Sequence, residues 1–164
     1  MKMSALRIPS LCFALAVITL PACAEEKLDF VGEAQSGCAL DDLRNGHLAL
    51  GADLASWTTD TPATFAVSAT AGGEYQLTVR GSSTWAEAPN GTPATTFSLF
   101  PVLVAGTNAN RPFSGSPDDL VRKADLLYAG RSDVEVRLTA TSSGVNPFRT
   151  GTYRAEVTVT CATP

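Results

Sequence analysis

The stretch Gly151-Thr-Tyr-Arg-Ala-Glu-Val-Thr-Val-Thr-Cys161 most constrains what this chain can fold into. Tyr153, Ala155, Val157, Val159 and Cys161 share one parity; Thr152, Arg154, Glu156, Thr158 and Thr160 share the other. Strand side chains alternate between faces, so the spacing predicts an apolar row inward and a polar row outward. Thr, Val and Tyr suit a pleated, half-buried surface, and Gly151 supplies the turn that starts the strand. Cys161 falls on the inward parity, which predicts a strand that ends in a covalent tie.

The N-terminus is of another kind. Lys2 and Arg7 precede an apolar run over residues 11–20, and Pro21-Ala22-Cys23-Ala24 follows. Ala22 and Ala24 form the small-x-small pattern of a signal peptide, with cleavage before Glu25. The run is too short for a permanent bilayer span, and its flanks argue against a buried core helix. A second route overlaps the first: Leu20-Pro21-Ala22-Cys23 resembles the bacterial lipobox, in which Cys23 becomes the lipidated first residue. Both routes predict export, to the periplasm or cell surface or to a lipid anchor in the outer membrane. Removing residues 1–24 leaves 140 residues, with ten Lys+Arg against 16 Asp+Glu and a net charge of −6. Such a balance argues against nucleic acid and anionic membrane surfaces as partners. No later segment is long and apolar enough to span a membrane as a helix.

Of the four cysteines, Cys12 leaves with the leader, and Cys23 is discarded or lipidated. Cys38 and Cys161 remain, and in an oxidising compartment they are expected to pair. A metal site or a catalytic thiol built on two cysteines alone is the weaker reading.

Residues 25–37 form a short extension before the domain of residues 38–164. Leu28, Phe30, Gly32 and Ala34 share a parity, which suits an ordinary first strand or a segment donated to another copy. Asn45-Gly46 is a tight-turn signal, and a short strand over residues 47–50 ends at Gly51. The single histidine, His47, has no other His or Cys nearby and is expected at the surface. Residues 52–63 read as a polar loop carrying Trp57. Phe65, Val67 and Ala69, the turn Ala71-Gly72-Gly73, then Tyr75, Leu77 and Val79 read as a hairpin. A strand is expected over residues 95–104, with Pro101 marking an edge or a bulge. Ser116-Pro117-Asp118-Asp119 reads as the start of a short helix. Leu126-Leu127-Tyr128 and the alternating Val134, Val136, Leu138 and Ala140 precede the closing strand. About seven or eight strands with one short helix define an all-β chain, best solved as an Ig-like antiparallel β-sandwich.

Catalysis finds little footing in these residues. One histidine without a motif does not make a hydrolase triad, and no Gly-x-Ser-x-Gly elbow occurs. Asp41-Asp42 and Asp118-Asp119 are adjacent pairs, unlike the separated carboxylates of glycosidases. No phosphate-cradling or EF-hand loop is present, and no cofactor or metal is expected. Trp57, Trp85, Phe113 and Phe148 are read as loop aromatics that cap the sandwich or form a binding tip.

The order of features resembles the spore coat protein U family, which includes subunits of archaic chaperone–usher pili. The likeness rests on the extension before Cys38, the Leu50-Gly51 strand end, the pattern from Ala69 to Gly81, the Leu-x-Tyr element ending at Tyr128, and the Gly-x-Tyr-x-x-x-Val-x-Val ending from Gly151. The resemblance implies an Ig-like domain that lacks one strand, supplied by the extension of the next subunit. Leu28, Phe30 and Ala34 would then fill a groove and Gly32 would pass its shallow point. Other copies or related subunits, a periplasmic chaperone and an outer-membrane usher are the partners it implies. One departure stands out. The family's first Cys commonly pairs with one at the end of an early strand, where this chain has Ala69. A bond from Cys38 to Cys161 ties first strand to last and favours a more closed sandwich. The expectation is therefore an exported, non-enzymatic structural or adhesive surface subunit, of fimbrial type. The alternative is a monomeric periplasmic or lipid-anchored sandwich that binds a ligand or partner through its loops.

Overall fold

The computed structural model describes residues 37–70, 73–143 and 146–164. Cys23 and the extension residues Leu28, Phe30, Gly32 and Ala34 lie outside the described residues, as does the leader. Nine strands follow in order: β1 (Cys38–Arg44), β2 (His47–Leu50), β3 (Ser56–Thr61), β4 (Ala63–Ala69), β5 (Tyr75–Gly81), β6 (Thr95–Gly106), β7 (Val121–Leu126), β8 (Gly130–Ser142) and β9 (Val157–Ala162). They form two antiparallel sheets, one of six strands and one of three, and no helix occurs among the described residues. The chain is all-β.

The larger sheet is built around β8. β6 pairs along one side of it; β4 and β3 pair in succession along the other. β4 carries β1 on its far edge, and β3 carries β2. Thus β1 and β2 continue one another, as do β3 and β4. Asn45-Gly46 does not reverse the chain, contrary to the turn signal. It breaks a continuing strand opposite Pro62, which has no N–H to pair. A Cβ on Gly46 would lie 2.6 Å from the Ala63 nitrogen, so the approach needs glycine.

The smaller sheet has the order β7-β5-β9. Here the expected hairpin fails. β4 and β5 are both strands with the expected inward rows, yet they sit in different sheets and do not pair. The two rows face each other across one core: Phe65 and Val67 from β4 cluster with Leu77 and Val79 from β5, and with Leu99, Leu103, Val134 and Val136. That opposition of two one-sided sheets is a β-sandwich.

Residues 116–119 form a tight turn instead of the expected helix. The Asp119 N–H donates to the Ser116 carbonyl at 2.9 Å, and the Asp119 carboxylate accepts the Ser116 N–H at 2.7 Å. A Ser-Pro-Asp signal serves either fate. No 3.6-residue apolar stripe follows it, so nothing drives a helix; β7 begins at Val121 with period-two burial.

Arg122 is the unexpected member of that β7 inward row, 8% exposed between the sheets. Its Nε donates to Ser114 O at 2.8 Å, Nη1 to Leu99 O at 3.0 Å and Nη2 to Phe113 O at 3.2 Å. No carboxylate pairs with it among the described residues. One guanidinium therefore ties β6 and the 113–114 segment to β7. Arg122→Met should lower unfolding stability by about 2–4 kcal/mol, since the buried Leu99 and Phe113 carbonyls and the part-buried Ser114 carbonyl lose their donor. A shifted urea midpoint at constant slope is the readout, and an unchanged midpoint would show the carbonyls find water.

Candidate functional site

β9 and the residues leading into it run Tyr153 to Ala162 with the expected parity: inward residues half-buried, outward ones exposed. The contrast with its neighbour is informative. Tyr75, Leu77 and Val79 of β5 are 4%, 0% and 0% exposed, whereas Val157, Val159 and Cys161 of β9 are all only half-buried. From Tyr153 to Val157 that row faces an open groove.

A groove of about 770 Å³ runs between this row and the β2–β3 side of the larger sheet. Leu48, Trp57, Ala63, Val136 and Leu138 line one side, with Tyr153, Ala155 and Val157 on the other. His47 stands exposed on its rim, as a surface residue. Further along β9, past the residues that line the groove, Cys38 and Cys161 form a disulfide with their Cα atoms 5.9 Å apart. This bond staples the first strand of one sheet to the last strand of the other. The expected pairing is present, but the sandwich it was expected to close stays open beyond it.

The edges of the two sheets differ in what they offer. On β6, the Leu99 N–H donates to Pro117 O, Leu99 O accepts Arg122 Nη1, and Leu103 O accepts the Asn110 N–H. Pro101 brings no N–H to that edge, so its sequence signal for an edge strand was sound. β7 is covered by Ser114, whose N–H donates to Lys123 O at 2.7 Å. The segment 153–162 is different. Among the described residues its main-chain bonds run to β5 and to residues 82–87, leaving the groove side without a strand partner.

The mouth of the groove is aromatic. Trp57 and Tyr153 are 5.1 Å apart by ring centroid, and Trp85 lies 5.0 Å from Tyr153 and 4.9 Å from Phe97. Phe148 joins them 5.5 Å from Tyr153. Most of the contacts are edge-to-face, the arrangement aromatic quadrupoles favour, so the rings satisfy one another as a cluster. Trp57 was expected in a loop; it sits in β3, where Leu50 pairs with it. Phe113 is elsewhere, buried, with its carbonyl on Arg122. A tip made of all four expected aromatics therefore does not form. Gly151 packs beside this end: at φ 153° it lies so near Pro89 that a Cβ would fall 2.3 Å from Cγ.

The groove was legible only as a half-pattern. The alternation of Tyr153 to Cys161 was plain, but the same spacing suits a strand with neighbours on both sides. The acidic pairs do not converge: Asp42 is bound by Arg131 across the sheet, which holds its carboxyl below the usual carboxylate range, and Asp118 accepts the Ser98 hydroxyl at 2.7 Å. Among the described residues, no three His, Cys, Asp or Glu side chains stand together as a metal site. No helix among them is long and apolar enough to cross a membrane. No known protein family, curated protein or solved structure gives a match to this chain.

Proposed function

We propose that the protein is an exported, non-enzymatic structural subunit that assembles by strand addition, the groove beside β9 receiving residues 28–34 of another copy. The observation that carries this reading is the half-open inward row from Tyr153 to Val157, along a groove without a strand partner among the described residues. Strand order supports it. In an Ig-type sandwich one sheet reads A-B-E-D and the other C-F-G. On that plan β1, β4, β8 and β6 would stand for A, B, E and D and β5 and β9 for C and F, with β2, β3 and β7 as additions to it. The position beside F belongs to strand G, and it is where the groove runs. The domain is read as Ig-like with that strand missing.

The donor segment fits this space in direction and in size. With the two sheets stapled at Cys38–Cys161, a strand enters from the Tyr153 end with its N-terminus leading. It then lies antiparallel to β9, which runs from the mouth towards Cys161. Small Ala34 and Gly32 come to rest near the mouth, where Trp57, Tyr153 and Leu138 already fill space. Phe30 reaches the level of Ala63, Val136 and Val157, where the lining is smaller, and Leu28 leads towards the disulfide. Burying Phe30 and Leu28 contributes about 3–6 kcal/mol, before main-chain bonds are added. The resemblance to archaic pilins points the same way and suggests a periplasmic chaperone and an outer-membrane usher as assembly partners.

The test is direct. Cells exporting the full precursor should yield unboiled surface extracts with a ladder of SDS-resistant multimers. Deleting residues 25–36 should abolish it. A single monomer band, the same with and without the deletion, would sink strand exchange and leave the monomeric loop-binding sandwich as the better account. N-terminal mass spectrometry distinguishes a start at Glu25 from a lipidated Cys23.

A further inference from the structure

The end of the domain from which the extension departs carries an exposed tip that the fold holds in place. Gly37 and Thr70 exchange hydrogen bonds there, fixing where the chain leaves. At the same end Leu126 pairs with Tyr75, and Gly130 pairs with Ala69. Between these anchors Leu127 and Tyr128 stand 54% and 58% exposed.

A short loop of this kind would ordinarily move. Here Asn108, 2% exposed, acts as a substitute strand. Its Nδ2 donates to Tyr128 O at 2.9 Å, and its Oδ1 accepts the Tyr128 N–H at 3.1 Å. Asn108 is itself held by Ser132, whose Oγ accepts its N–H at 3.0 Å. The Arg111 guanidinium lies 5.2 Å from the centre of the Tyr128 ring. A fixed tip of Tyr, Arg and Leu is costly to expose for no purpose, and Tyr and Arg are the types that anchor interfaces.

The opposite end offers a counterpart. The turn between β2 and β3, residues 51–55, stands at the groove mouth, because its flanking residues Leu48 and Trp57 line the groove. Leu54 is 49% exposed yet pinned: its N–H donates to Gly51 O at 2.9 Å and its carbonyl accepts the Phe148 N–H at 2.7 Å. Beside it, Asp53 accepts the Ala55 N–H at 3.0 Å and the Ser56 hydroxyl.

From these two surfaces we infer that Leu127, Tyr128 and Arg111 of one copy seat on Leu54 and Asp53 of the copy whose groove receives its extension. The inference rests on the strand-addition reading. The tether enforces it: Ala34 to Cys38 is four residues, a reach of at most about 14 Å. With Ala34 at the mouth of the receiving groove, the donor's exit end must stand against that mouth, and the 51–55 turn is there. Leu and Tyr meet Leu54, and the guanidinium meets the Asp53 carboxylate. Because the tether supplies a high local concentration, a small contact suffices. The two patches lie on opposite ends of one chain, so the contact repeats head to tail.

The test uses the exported full-length chain with a photoreactive benzoylphenylalanine in place of Tyr128. Irradiated multimers should yield a crosslink to a peptide containing residues 51–55 of the neighbouring copy. In parallel, Leu127→Ser combined with Tyr128→Ser should slow ladder growth about tenfold, equivalent to about 1.4 kcal/mol. A normal ladder with no crosslink to 51–55, or growth unaffected by the double substitution, overturns the tip contact and leaves strand addition standing. Absence of any ladder from the unmodified chain removes both.

Discussion

Replacing Cys38 and Cys161 together with serine is expected to cost about 3–5 kcal/mol of stability, and it should do so mainly through the unfolded chain. The two cysteines are 123 residues apart, so the closed loop contains nearly the whole described domain. In the chain-entropy model a loop of that length is worth about 5 kcal/mol, an upper figure if the bond is unstrained. The native state adds a second reason. β1 belongs to one sheet and β9 to the other, and on the groove side this bond is their covalent link. Urea unfolding should therefore show a lower midpoint together with a steeper slope, because the uncrosslinked chain unfolds to a more open ensemble. Reducing the wild-type protein should reproduce the shift. An unchanged midpoint would mean that the bond restricts neither the unfolded chain nor the packing of β9 against β1.

The same bond shows what the chain did and did not make legible. Parity located Cys161 on the inward face, and elimination left Cys38 as its partner; both readings needed only local spacing and cysteine count. What the bond does to the sandwich needed three dimensions. A tie from first strand to last suggests closure, but it acts at one level along β9, and Ala155 and Val157 lie half-buried on the open groove beyond it. Closure at Cys161 and openness at Ala155 are two ends of one edge.

Pairing was the hardest step for the same physical reason. β4 and β5 carry clean inward rows separated by Ala71-Gly72-Gly73, and a hairpin and an inter-sheet crossing share that signature. Inward alternation reports burial, and both arrangements bury the same residues. β3 was hidden for a different cause. Its Thr58, Thr59, Asp60 and Thr61 look like loop, yet the Thr59 hydroxyl accepts the Leu138 N–H at 2.7 Å and donates to Leu138 O at 2.8 Å. Polar strand residues that meet main chain leave no hydrophobic trace in the sequence.

If the groove accepts a strand, the protein has a giving end and a receiving side, and the two can be disabled separately. Ala155 lines the groove and faces its open space, so Ala155→Trp should fill the receiving site without overpacking the closed core. Deleting residues 25–36 removes the giving end and leaves the groove. Each variant expressed alone should give only monomer: the first can donate but not receive, the second can receive but not donate. Expressed together they should give dimers and nothing longer, because the single permitted junction places the extension of the Ala155→Trp chain in the groove of the deleted chain. Mass spectrometry of the dimer should find one copy of each. The loss of polymer should be essentially complete, since each missing junction ends growth. A ladder from the Ala155→Trp chain alone would show that the extension pairs somewhere other than along β9. Homodimers of the deleted chain would show that the subunits associate through a surface needing no donated strand. The asymmetry of the mixed result is what separates strand exchange from ordinary association, in which either disabled partner would be free to pair with itself.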